Sequence, residues 1–234
     1  MLKKIVFFIS LFIVSFVPQL KAQKTAEIGV FLGRSYYNGE INPKTHWGNG
    51  VGSFTYGAGF RYNLNKRYSL KAMLIRTTLS AEDKSAELLF NTFRNASFET
   101  KLTEFSGSIE FNFLPYKMGD KQHFFSPYLF VGISAYKYDP NLDIAVTPLE
   151  EITGGTSFAL PFGPGMKLSL GKKFALAVEW GFRKTSNDEL DGLPNRIEDI
   201  FELGKPNDND WYTVTGFLLT YKITDEGPCP SHGF

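Results

Sequence analysis

The chain has 234 residues, with 23 Phe, 11 Tyr and 22 Gly against 4 Met, a balance that favours strands and turns over helices. Lys plus Arg (25) nearly cancels Asp plus Glu (24), so no basic surplus points to nucleic acid. The single cysteine, Cys229, excludes an internal disulfide framework and a multi-cysteine metal site, and His46, His123 and His232 are too scattered to give metal-ligand spacing.

In chain order, a positive start at Met1 to Lys4 leads into the apolar run Ile5 to Val17, then Pro18 and Leu20-Lys21-Ala22. The apolar run is too short for a spanning helix, which needs about 20 residues, so residues 1–22 are expected to be a secretory signal peptide cleaved after Ala22. Losing Lys3, Lys4 and Lys21 would take the formal charge from +1 to −2. No later stretch is long and apolar enough for a membrane helix.

The expected barrel segment, 23–224, is dominated by period two. Phe54, Tyr56, Ala58, Phe60, Tyr62 and Leu64 share one face, with Thr55, Gly57, Gly59, Arg61 and Asn63 on the other. Phe105, Gly107, Ile109, Phe111 and Phe113 repeat the pattern, as do Phe174, Leu176, Val178, Trp180 and Phe182. Strands are expected near 26–37, 54–64, 67–79, 102–114, 126–137, 158–171, 173–183 and 211–224. Most reach the 9–11 residues that a tilted membrane strand needs. Long connections (38–53, 80–101, 138–157, 184–210) alternate with short ones at Asn65-Lys66, 115–125 and Lys172. The expected fold is all-β: an eight-stranded antiparallel up-and-down transmembrane β-barrel with short periplasmic turns and long extracellular loops. A soluble barrel of the lipocalin kind is the alternative, and alternation alone does not say which face is inside.

In the membrane reading, Glu27, Glu104, Glu110 and Glu179 point into the lumen with Arg61, Lys71, Lys167 and Arg183. Four negative and four positive groups can pair there, which predicts a plugged lumen and not a wide pore. Pro161 and Pro164 should force a bulge or an extramembrane start on the sixth strand. The eighth strand is apolar on both faces around Phe217, Leu218 and Leu219, leaving its facing open.

In the loops, Leu89 and Phe93 suit a short amphipathic helix packed on the rim. Asp188 to Gly192 lacks full calcium-loop spacing and reads as solvated, while Ile197, Ile200, Phe201 and Leu203 suit docking against an apolar surface. With both termini periplasmic, residues 225–234 form a periplasmic tail carrying Cys229, either a free thiol or one bonded to a partner. Periplasmic partner contacts are expected from Asn65, Lys66, Tyr116, Lys117, Lys121, Lys172, Lys173 and Cys229. No catalytic constellation, Gly-x-Ser-x-Gly elbow or P-loop is present. A rim enzyme would rest on His46 and a loop acid such as Glu40 alone, so no enzymatic activity and no cofactor is expected.

Glu27-Ile28-Gly29-Val30-Phe31-Leu32-Gly33, running on to Tyr37-Asn38-Gly39-Glu40, resembles the opening of the PorG-type small outer-membrane barrels of Bacteroidota. Tyr128-Leu129-Phe130-Val131-Gly132-Ile133 resembles their central strand, and Pro161-Phe162-Gly163-Pro164-Gly165 their proline-phenylalanine-glycine-x-glycine segment. The resemblance implies a non-enzymatic accessory or anchoring component of the type IX secretion system in the outer membrane. Its expected partners are outer-membrane lipids and the periplasmic ring formed by a lipoprotein and its partner. A general small barrel, a solute porin or surface adhesin unrelated to secretion, is the alternative.

Overall fold

The computed structural model describes residues 25–38, 52–82, 97–143, 154–186, 190 and 210–224. The signal segment, the tail with Cys229, and the loop residues Glu40, His46, Leu89, Phe93 and Ile197 to Leu203 lie outside them.

Eight strands close into one barrel: β1 (Thr25–Asn38), β2 (Ser53–Asn63), β3 (Tyr68–Glu82), β4 (Ser97–Asn112), β5 (Phe125–Asp143), β6 (Gly155–Ser169), β7 (Phe174–Thr185) and β8 (Trp211–Lys222). Each pairs antiparallel with the next, and β8 pairs back onto β1. Closure leaves no edge, as hydrocarbon requires, because lipid offers unpaired N–H and C=O groups no partner. The expected strands are all present, but β4 begins five residues earlier than expected and β5 ends six later. Asp139, Pro140 and Asn141 disguise the end of β5 in the sequence. Among the described residues the pairing of β5 with β6 runs as far as Tyr138 and Gly155, and Pro140 lies beyond it, paired with Thr100 of β4.

The pairing fixes the tilt. From Ala26 the paired positions run through Tyr62, Leu70, Ile109, Val131, Phe162, Phe182 and Thr213, and return to β1 at Tyr36. The circuit closes ten residues along β1 from its start, a stagger that inclines eight strands by roughly 40°. The bulge expected at Pro161 and Pro164 is absent. Pairing with β5 lapses opposite Pro161 and pairing with β7 lapses opposite Pro164, and both ladders resume in the same register. Each proline thus gives up a bond on a different side, and neither inserts a residue.

The two faces have opposite chemistry. Ile133 (71% exposed), Phe158 (65%), Phe54 (63%) and Phe105 (59%) point outward with the other large apolar residues of the alternating pattern. Soluble monomers rarely expose apolar patches beyond a few hundred Å², so a continuous outer band of this kind fits acyl chains and not water. All eight charged residues named above are buried on the inner face. The polarity is that of a transmembrane barrel, the reverse of a lipocalin. Strand β8 resolves accordingly: Phe217 and Leu219 face out, while Leu218 is fully buried inside.

Candidate functional site

The lumen is filled in layers. Inward positions of β1 run Glu27, Gly29, Phe31, Gly33, Ser35 and Tyr37 from the short-turn rim towards the long-loop rim.

Nearest the turns lies a six-residue charge cluster drawn from six strands. Arg61 Nε donates to Glu110 Oε2 at 2.9 Å, and its terminal nitrogens lie 3.3 Å from Glu27 Oε2 and 3.7 Å from Glu179 Oε1. Lys71 Nζ is 2.6 Å from Glu179 Oε1 and 3.3 Å from Glu110 Oε1, and Lys167 Nζ is 2.5 Å from Glu110 Oε2. Three carboxylates face three cations. Neutral donors complete the shell: Asn63 Nδ2 to Glu27 Oε1 at 2.6 Å, Thr220 Oγ1 to Glu27 Oε2 at 2.8 Å, and Tyr128 Oη to Glu179 Oε1 at 2.6 Å. The cations also meet aromatic faces, with Lys71 Nζ 4.3 Å from the Phe130 ring centre and Lys167 Nζ 4.6 Å from that of Tyr128. Buried charges are tolerable only with this density of partners.

Above the cluster sit Phe31, Met73, Ile75, Phe130 and Leu218, all buried. The second ion pair follows: Arg183 Nε lies 3.4 Å from Glu104 Oε2, which also accepts from Tyr212 Oη at 2.5 Å. Arg183 further donates to the Gly181 carbonyl at 2.7 Å. Towards the loop rim, Tyr37 packs edge-on against Phe98 with ring centres 4.8 Å apart, and its hydroxyl donates to Asp210 Oδ1. Leu190, from the connection read as solvated, is instead completely buried here. Its N–H donates to Asp210 Oδ2 and its carbonyl accepts from Thr100 Oγ1. The sequence pattern singled out the eight lumen charges but not Asn63, Tyr128, Tyr212 or Thr220. Their inward position on the period-two face was the available signal.

The turn rim is the other candidate surface. Asn65 Oδ1 accepts from the N–H groups of Arg67 and Tyr68 at 2.7 and 2.9 Å, so that side chain serves its own turn. The Lys66 carbonyl accepts from Tyr116 N at 2.9 Å. Tyr116, expected to contact a partner, is only 4% exposed: it closes the lumen floor with Met118 and Ala175, because the turn folds it under the barrel. Lys117, Lys121, Lys172 and Lys173 converge with Lys222, which the sequence reading did not include, around an open cavity of about 690 Å³. Asp120 sits in the same turn, bonded to Gln122 N at 2.8 Å and His123 Nδ1 at 2.9 Å. The Gln122 N–H, then His123, hold its carboxyl below the usual value. Among the described residues, no three His, Cys, Asp or Glu side chains are grouped to hold a metal.

The profile of a domain of unknown function, DUF6089, matches residues 3–232. The chain belongs to the DUF6089 family. No curated protein matches this DUF6089 chain by sequence. Among solved structures it is similar to the N-terminal β-barrel domain of Pseudomonas aeruginosa OprF at 12% identity, covering 87% of this chain and 100% of that one with a TM-score of 0.46. It is similar to Neisserial surface protein A at 12% identity, covering 86% and 98% with a TM-score of 0.48. The outer membrane protein OprG of Pseudomonas aeruginosa gives 14% identity, covering 86% and 97% with a TM-score of 0.46.

Proposed function

We propose that this DUF6089 barrel is a non-enzymatic outer-membrane component of the type IX secretion system, an accessory anchor that holds the periplasmic ring against the membrane. The observation that carries the reading is the lumen. Side chains of all eight strands occupy it, including Arg61, Lys167, Phe31, Tyr128 and Tyr212, each less than 2% exposed. A barrel filled in this way is suited to holding a position, so its work falls to its rims.

The short-turn rim faces the periplasm in this reading. The contacts with the ring then fall to this rim, with Cys229 in the sequence that follows β8. The segments that resemble PorG-type barrels are tied to the lumen architecture. Gly165 lies where an added Cβ would come within 2.5 Å of the Tyr128 ring, so the proline-glycine segment on β6 and the central-strand tyrosine fit one another.

Co-purification from detergent-extracted membranes tests the proposal. The tagged chain is expected to bring down a periplasmic lipoprotein and its partner, and a deletion strain is expected to lose surface display of secreted proteins. Normal export in the deletion strain, with nothing reproducible co-purifying, would leave a small barrel that works alone. Planar bilayer recording is expected to show no steady conductance. Sustained nanosiemens openings would turn the reading towards a solute porin.

A further inference from the structure

Two turns meet under the barrel. The 113–124 turn lies against the 170–173 turn, with Gly119 N donating to Ser169 Oγ at 2.9 Å and Ser169 N donating to the Phe124 carbonyl at 2.7 Å. Gly119 adopts φ +83°, and a Cβ there would stand 3.1 Å from Lys172 Cα, so a glycine is what permits the approach. The contact gathers five lysines around one cavity. Like charges so placed repel, and the one carboxylate among the described lining residues, Asp120, already accepts from Gln122 and His123. Lys121, Lys172 and Lys173, which line the cavity, are exposed.

The cavity adjoins the lipid-facing band. Lys173 Nζ lies 5.9 Å from the ring centre of Tyr221, which is on the outer face and packs against Phe174 with ring centres 5.3 Å apart. Leu170, Phe174 and Ile223, each at least half exposed, lie beside it. Ammonium groups directly beneath an aromatic and aliphatic belt match the position of lipid phosphates, where the acyl chains can lie along the belt.

We propose that this cavity binds the phosphate headgroup of an anionic phospholipid from the leaflet beside the turn rim. Lys121, Lys172 and Lys173 supply most of the attraction, and the Phe174–Tyr221 pair seats the chains. The inference needs only that this rim lies at a membrane surface and does not depend on a role in secretion. The apolar belt beside the lysines favours a lipid over an acidic protein segment.

The test uses the full mature chain, purified in a zwitterionic detergent and examined by native mass spectrometry with phosphatidylglycerol or phosphatidylcholine. Phosphatidylglycerol is expected to be retained preferentially. The exposed triple substitution Lys121→Gln/Lys172→Gln/Lys173→Gln should weaken that binding by roughly 100-fold, at about one decade or less per lysine. The corresponding triple change to arginine, and Lys137→Gln near the other rim, should retain it. Equal retention of the two lipids, or a preference that survives the triple glutamine variant, would overturn the proposal. Binding of polyglutamate at the lysines without lipid preference would also overturn it and reassign the cavity to a protein partner.

Discussion

Arg61 is the centre of the lower lumen, and replacing it tests whether the lumen is dry. The Arg61→Met substitution keeps most of the volume and removes contacts to Glu27, Glu110 and Glu179. Three buried carboxylates would then face only Lys71 and Lys167. Uncompensated burial of this kind costs about 3–5 kcal/mol. Adding Glu110→Gln restores two charges of each sign, so the double variant should be less destabilised than the two single effects added together, by about 1–3 kcal/mol. Urea unfolding in lipid vesicles, followed by tryptophan fluorescence, reads both values. A cost below about 1 kcal/mol for Arg61→Met, with no coupling to Glu110, would show that water screens the cluster and would defeat the packed-lumen argument.

Glycine positions give a matched pair. Gly165→Ala drives a methyl into the Tyr128 ring and disturbs its bond to Glu179, so it should destabilise by about 1–3 kcal/mol, whereas Gly107→Ala meets nothing within 4 Å and should stay within about 0.5 kcal/mol in the same unfolding assay. On the outer face, Val131→Arg, at a site 60% exposed to lipid, should cost about 2–4 kcal/mol in vesicles if it lies near mid-membrane; no cost would mean that this face is not in hydrocarbon. At the turn rim the folded carboxyl of Asp120 is depressed, so its contribution is complete above the ordinary value near ~4 and is lost as pH falls through the lower folded value. Amide protection factors in the 115–124 turn, with the intrinsic pH dependence of exchange divided out, should therefore fall only in strong acid, and Asp120→Asn should abolish that step.

The faces of the strands were legible because a two-residue repeat converts directly into inside and outside once a membrane is assumed. Glu27, Arg61, Lys71 and Glu110 declared themselves by interrupting that repeat with charge on a single side. What was not legible came from partners distant in sequence. Tyr128 and Tyr212 look like any barrel aromatics, and only closure brings their hydroxyls to Glu179 and Glu104. Tyr116 sits in a turn, where exposure is the ordinary expectation, and only the fold of that turn under the barrel buries it. Leu190 is one apolar residue among acids, and its burial depends on Thr100 and Asp210 meeting it from two other parts of the chain. The ends of β4 and β5 were missed because local propensity at Asp139 and Pro140 argues against strand while pairing with β4 overrides it.

The seam between β1 and β8 has a consequence for how the molecule is made. Glu27 accepts from Thr220, 193 positions later, and the Ala26 N–H donates to the Thr224 hydroxyl, so the opening strand waits for nearly the whole polypeptide before its own needs are met. Until then both the raw margin of β1 and an unfinished set of charges stand open. Synthesis cannot deliver a usable fraction of this ring: a chain halted before Trp211 has neither a closed perimeter nor a complete interior. The perimeter and the charge cluster are therefore completed by the same last strand, when β8 reaches β1.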